Sequence, residues 1–308
     1  MRYDLKNNKE QSAMRTAIIY GVIGVVFVLA ACTRVQFATQ HDLYHRHDEY
    51  KPVDNIVTAN VGFTSPVDRE GWKMVWSDEF NGAALDTTAW TYEVNGDGGG
   101  NNELQFYTDF KTNSWLKNSL FHIKAIEEGY KGMTYTSARI VSRHKKDFKY
   151  GRFDIRAKTP TQQGVWPAIW MLPTNEEYGG WPKSGEIDIM ESIGNHPNTV
   201  HGTLHYGPKW PNNKNTGQKV ELENDLESEF HVYSVEWEEN EIRWYVDDVL
   251  YSTKTPEDLA PYPWPFDKEF FIILNLAIGG DWPGPPDGTT VFPKYMFVDY
   301  VRVYQKTD

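Results

Sequence analysis

From Gly71 onward the chain is a succession of short segments in which apolar and polar residues alternate, each closed by glycine, proline, asparagine or aspartate. Alternation of this kind is the period of a half-buried strand, and a helix cannot keep it on one face. In residues 150–158, Phe153, Ile155 and Ala157 fall on one side and Arg152, Asp154 and Arg156 on the other, so this strand is expected to have one buried and one wet face. The pattern recurs at residues 120–125, 134–142, 165–172, 200–205, 230–237, 241–246, 249–253, 270–277 and 296–304. Asp247-Asp248, between two of these segments, suits a tight hairpin. With no long helical period and no internal repeat, the expected fold is all-β, a two-sheet jelly-roll sandwich forming one domain over residues 67–308.

One segment sets acids among apolar residues that would otherwise make an ordinary buried strand. In Gly185-Glu186-Ile187-Asp188-Ile189-Met190-Glu191-Ser192, strict alternation puts Glu186 and Asp188 on one face and Glu191 on the other. One extra residue, a β-bulge near Ile189 or Met190, would return Glu191 to the face of the other two, and bulges are over-represented beside active sites. Carboxylates gathered on one face repel, so at least one should hold a proton near neutral pH. Retaining glycosidases need such a pair, with carboxyls about 5 to 5.5 Å apart, one to attack and one to give and then take a proton. A solvated acidic strand, or carboxylates collected for calcium, would use the same residues.

The flanking residues narrow the choice. Trp181-Pro182-Lys183-Ser184-Gly185 precedes the acids and Val200-His201-Gly202-Thr203-Leu204-His205-Tyr206-Gly207 follows them. With Trp76-Ser77-Asp78-Glu79-Phe80, Asn101-Asn102-Glu103-Leu104-Gln105-Phe106-Tyr107-Thr108, Trp166-Pro167-Ala168-Ile169-Trp170-Met171-Leu172 and Val298-Asp299-Tyr300-Val301-Arg302-Val303-Tyr304, the pattern resembles glycoside hydrolase family 16 over residues 71–304. Within that family it is most similar to the bacterial laminarinases, which are endo-1,3-β-glucanases. The resemblance implies a concanavalin A-like jelly roll with a sugar cleft across its concave sheet. It also implies Glu186 as nucleophile, Glu191 as acid/base and Asp188 as the residue that tunes the nucleophile.

A pyranose offers an apolar face for an aromatic ring and a rim of hydroxyls for polar groups. Trp166 and Trp170 share a face with Ala168 if the strand alternates strictly, which would make two stacking platforms. Trp181 and Trp282, in loops rich in glycine and proline, are further substrate-binding candidates. By resemblance, Asn101, Asn102, Glu103 and Arg139 bind hydroxyls on the non-reducing side of the cut, and His205 is a positioning or proton-tuning partner close to the acid/base. Most of the twelve tryptophans are expected to fill the core. No organic cofactor is implied. The family commonly carries a structural calcium far from the cleft, and Glu79 and Asp299 match the sequence pieces associated with it.

Residues 1–32 read as a processing segment: Arg2, Lys6, Lys9 and Arg15 precede an apolar run from Ala17 to Ala31, too short for a comfortable membrane span. Leu29-Ala30-Ala31-Cys32 resembles a bacterial lipobox, with Cys32 the lipidated first residue of the mature protein and Met14 an alternative start. Thr33 after it lacks the aspartate that resembles an inner-membrane retention signal, so the outer membrane is the expected destination. Residues 33–66, polar and without a period, are expected to be a tether rather than a site for His41, His45 and His47. Cys32 is the sole cysteine of this sequence, so it forms no internal disulfide.

The net charge of −12, with no basic run, argues against nucleic-acid partners and leaves a neutral polysaccharide as the expected one, bound by a monomer. The expected function is therefore endo-hydrolysis of internal β-1,3 bonds in laminarin-like glucans with retention of configuration. Two alternatives share these residues: an enzyme acting on mixed-linkage glucan, agar or carrageenan, and a carbohydrate-binding jelly roll without chemistry.

Overall fold

A computed structural model describes residues 58–307. Two sheets, antiparallel in nearly every pairing, enclose one core. The carboxylate sheet runs Lys214–Glu221, Thr199–Tyr206, Glu186–Glu191, Val165–Pro173, Phe270–Ile278, Arg139–Val141 and Thr91–Tyr92 in spatial order. The opposing sheet is built around Val249–Lys254, Glu241–Val246, His231–Glu238, Gly151–Lys158, Lys294–Lys306 and Leu120–Tyr130 in spatial order. Ile169, Ile187, Met190 and Leu274 from the first pack against Phe153, Ile155, Val235 and Val301 from the second. This is the jelly-roll sandwich that the alternation predicts. Among the described residues the one α-helix is the four-residue Pro256–Leu259.

Asp247 and Asp248 turn the expected hairpin with φ of 51° and 63°, the left-handed pair that a type I′ turn requires. Three details depart from the sequence reading. The expected strand at residues 134–142 is two strands, Met133–Ser137 and Arg139–Val141, which lie in different sheets and meet at the buried Ala138. A chain that changes sheet can keep its alternation, so the period hides the switch. Lys214–Glu221 forms the edge of the carboxylate sheet although mostly exposed, and with few apolar residues it carries no alternation signal.

The third correction concerns the expected wet face of Gly151–Lys158. Arg152, Asp154 and Arg156 are 3%, 0% and 1% exposed. They are dry because the chain just before the first strand crosses them. Arg69 pairs with Asp154 at 3.0 Å, and Arg152 donates to Asp154 at 2.7 Å. Arg156 donates to the carbonyl of Phe63 at 2.6 Å, and Ser65 receives the Tyr300 hydroxyl on its backbone N–H at 2.9 Å. Buried charge survives only when paired and hydrogen-bonded, and this strap supplies the partners. The tether expected to run to residue 66 therefore ends earlier, since Asn60 already contacts Arg156 and Val61 accepts from Phe230 N–H at 2.9 Å. Residues 1–57, with Cys32, the leader and most of the tether, lie outside the described residues.

Candidate active site

The carboxylate strand enters through Gly185 at φ 88°, where a Cβ would stand 2.7 Å from the Phe266 ring; glycine meets both demands. Glu186 then pairs with His205 and Asp188 with Thr203, but Glu191 pairs with His201. Three steps on one strand thus match two on the next. On the other side Met190 faces Ile169 and Asp188 faces Trp170, so Ile189 is the skipped residue. The bulge falls where the sequence demands it, and Glu186, Asp188 and Glu191 share one face while Ile187, Ile189 and Met190 are buried in the core. Ala168, small, lies opposite Glu191 and leaves its side chain room.

Each glutamate takes one indole N–H. Trp181 donates to Glu186 Oε2 at 2.6 Å and Trp166 to Glu191 Oε1 at 3.0 Å. His205 Nε2 stands 3.3 Å from Asp188 Oδ2 and 3.8 Å from Glu186 Oε1. It therefore serves the Glu186 side of the strand, not the acid/base side that the resemblance implies; the residue in register with Glu191 is His201. Burial, then the Asp188 charge, pushes Glu186 up to about 8. Burial, then the charges of Asp188 and Glu186, holds Glu191 well above the usual carboxylate range. Burial works against the charged form of His205, but the hydrogen bond and charge of Asp188, with Glu186 and Glu191, outweigh it and raise the imidazole to about 10.

These groups divide one proton unequally. Glu186 has both an indole donor and a cationic imidazole beside it, which favour its ionised form. Glu191 has an indole donor alone and two acidic neighbours. The proton belongs on Glu191 and the charge on Glu186, the separation that two carboxyls in two roles require.

The remaining candidates surround this core. Trp170 shares the face, donates to Asn275 Oδ1 at 2.7 Å and lies under the Arg139 guanidinium at 4.7 Å. Asn275 in turn donates to the Tyr107 hydroxyl at 3.1 Å, and Tyr107 donates to Glu103 Oε2 at 3.1 Å. Glu103 is 7% exposed and also receives Gln105 at 2.6 Å. Its expected place among substrate-binding groups is corrected accordingly: it anchors a buried chain that ends on Trp170. Arg139 pairs with Glu93 at 2.7 Å. Asn101 accepts the Asp281 N–H through its carbonyl at 2.8 Å, and the Asn102 amide donates to the Asp281 carboxylate at 3.0 Å. Both asparagines thus hold the loop that presents Trp282, whose ring meets Trp166 and His201 edge-on. Sequence reading missed Asn275, Tyr107 and His201; their only signal is register, Asn275 standing opposite Ala168 and Arg139.

Glu79 and Asp299 do not fit a shared calcium. Arg302 holds Glu79 through two bonds at 2.9 and 2.8 Å, and Arg156 holds Asp299 at 2.7 Å. Two carboxylates each neutralised by a guanidinium leave little charge for a hard cation. Among the described residues the one group with ligand atoms close enough for an ion is Glu186, Asp188 and His205, within 4.8 Å. There the imidazole already supplies the compensating charge.

A jelly roll with two indole-tethered glutamates on one face of a bulged strand has the architecture of a glycoside hydrolase. Residues 79–297 match the model of glycosyl hydrolases family 16, and this chain belongs to that family. It is 44% identical over 248 residues to a beta-glucanase of Rhodothermus marinus, covering 76% of this chain and 85% of the relative. It is 41% identical to the glucan endo-1,3-beta-glucosidase A1 of Niallia circulans over 77% of this chain but 38% of that longer protein. The solved catalytic domain of an endo-1,3-beta-glucanase (laminarinase) from Thermotoga petrophila superposes with a TM-score of 0.72 at 42% identity, covering 77% of this chain and 99% of that one.

Proposed function

We propose that this protein is a retaining endo-hydrolase of internal β-1,3 bonds in laminarin-like glucans. The observation that carries the chemistry is the bulge at Ile189, which brings Glu186 and Glu191 to one face with Asp188 between them. The relatives named for 1,3-β-glucan support the linkage.

Glu186, ionised, attacks the anomeric carbon as the bond to the departing sugar breaks, and Glu191 gives its proton to the departing oxygen. A glycosyl ester on Glu186 results. Glu191, now a carboxylate, removes a proton from water; the water oxygen bonds to the anomeric carbon and Glu186 leaves as it began. Asp188 and His205 form an ion pair beside the nucleophile that disfavours a proton on Glu186. Trp166, Trp170, Trp181 and Trp282 are the stacking surfaces for the glucan, with Asn101, Asn102 and Arg139 at the hydroxyl rim.

We further infer that Cys32 is lipidated and holds the enzyme, as a monomer, on the outer membrane of a bacterium, with residues 33–57 as the spacer. The basic residues before the apolar run and the small residues before the sole cysteine support this.

Reducing-end release from laminarin, mixed-linkage β-glucan and agarose, beside Glu186→Gln and Glu191→Gln, tests the reading. Cleavage of laminarin lost in both variants is expected. Retention on laminarin without cleavage by the wild type would instead favour a carbohydrate-binding jelly roll.

A further inference from the structure

His201 stands opposite Glu191 across the bulged strand pair. Its imidazole meets the Trp282 ring edge-on, with centroids 5.0 Å apart and planes at 79°. Trp282 meets Trp166 in the same way, at 5.5 Å and 86°. Trp166 then closes the circuit by donating its indole N–H to Glu191 Oε1 at 3.0 Å. Burial, then the charges of Lys219 and His196, pushes the His201 imidazole down, so it packs as a neutral ring.

Trp282 needs this contact because its own loop fixes it on one side only. Asn101 and Asn102 tie down Asp281, the preceding residue, while the Trp282 side chain is 41% exposed. Edge-on aromatic contacts are worth about 0.5–1.5 kcal/mol beyond area burial, enough to select one ring orientation. The Trp166 ring is confined on another side by Gly280, whose Cβ position lies 3.2 Å from it. Trp282 covers what Gly280 leaves open.

We propose that His201 is a positioning residue for the proton donor: its ring holds Trp282 against Trp166, which keeps the Trp166 indole N–H aimed at Oε1 of Glu191. An N–H bond to Oε1 marks that oxygen as the acceptor and leaves Oε2 to carry the proton. With the indole free to swing, the carboxyl rotates and the proton no longer points at one place. The inference rests on the assignment of Glu191 as acid/base, and it concerns only the steps in which Glu191 gives or takes a proton.

The test compares laminarin with 2,4-dinitrophenyl β-laminaribioside, whose leaving group departs without a proton. His201→Ala should lower kcat on laminarin about tenfold with KM within about twofold, since misplacement of a catalytic group is costly even when small. The first-turnover burst of dinitrophenol should stay within about twofold, because that step needs no general acid. His201→Phe, which keeps a ring against Trp282, should recover most of the laminarin rate. Equal loss on both substrates, no loss on laminarin, or a Phe variant as poor as Ala overturns the proposal. Glu191→Gln separates it from the assignment beneath: a burst preserved in Glu191→Gln upholds the donor role, and a burst abolished there removes that role and this inference with it. If Glu191→Gln keeps the burst while His201→Ala slows burst and laminarin cleavage alike, the proposal for His201 alone falls.

Discussion

The indole N–H of Trp181 donates to Oε2 of Glu186 across 2.6 Å, from a loop residue five positions before the acid it serves. A donor that close to a mostly buried carboxylate lowers the cost of its charge.

Trp181→Phe keeps the ring and removes the donor. A hydrogen bond to a charged group is worth about 1.5–3 kcal/mol, so kcat/KM on laminarin should fall about 10- to 100-fold. The acid limb of the pH profile should also move upward, because the lost bond favoured the ionised form. A full-strength Phe variant with an unmoved acid limb would contradict the role given to Trp181.

The two glutamates titrate as a pair. Activity should rise with pH as Glu186 ionises, having been pushed up to about 8, and fall as Glu191, also raised, loses its proton. In Glu191→Gln one like charge beside Glu186 is gone, so the acid limb measured with the dinitrophenyl substrate should move to lower pH. An acid limb that stays in place or rises would mean the two carboxyls are not coupled.

His205 makes stability pH-dependent. Its imidazole is raised from 6.5 to about 10, so its contribution is complete below pH 6.5 and lost as pH climbs through about 10. Glu186, an acid raised from 4.5 to about 8, acts in the same direction, with its share complete below pH 4.5 and lost through about 8. Thermal unfolding should therefore weaken steadily on the alkaline side, and His205→Gln should show a shallower decline between pH 6.5 and 10 than the wild type. Parallel declines in the two proteins would count against the Asp188–His205 ion pair.

The strap over the opposing sheet is testable by truncation. A chain starting at residue 67 lacks the Phe63 carbonyl on Arg156 and the Ser65 partner of Tyr300, whereas one starting at residue 58 keeps both. Leaving buried polar groups unmet costs about 1–3 kcal/mol each, which for a domain of this size lowers Tm by roughly 5–10 °C. Calorimetry giving equal Tm for the two chains would show that the strap contributes nothing.

Cys32→Ala should move the protein from the membrane fraction to the soluble one if the lipid is what holds it. Unchanged fractionation would end the anchor proposal.

The sheets and the bulge were legible because period and chemistry agree in this sequence. Ile187 and Met190 must face the core, and three acids cannot be buried with them, so the strand has one way to run. The dry face of Gly151–Lys158 was not legible. Arg152, Asp154 and Arg156 look like solvent-facing residues, and only the strap from residues distant in sequence makes them interior. Glu103 misleads for a related reason: an acid in a polar loop looks exposed until Tyr107 and Gln105 are seen to close around it. His201 carries no signal of its own, because its contact with Trp282 joins two segments that only the fold brings together.

The most direct test of the central claim is covalent trapping with a 2-deoxy-2-fluoro-β-laminaribiosyl fluoride, followed by mass analysis of the peptides. The account predicts one fluorinated sugar adduct per molecule, on Glu186, with activity returning as the ester turns over. An adduct on Glu191 or Asp188, or release of the α-anomer from laminarin with no adduct at all, would contradict it.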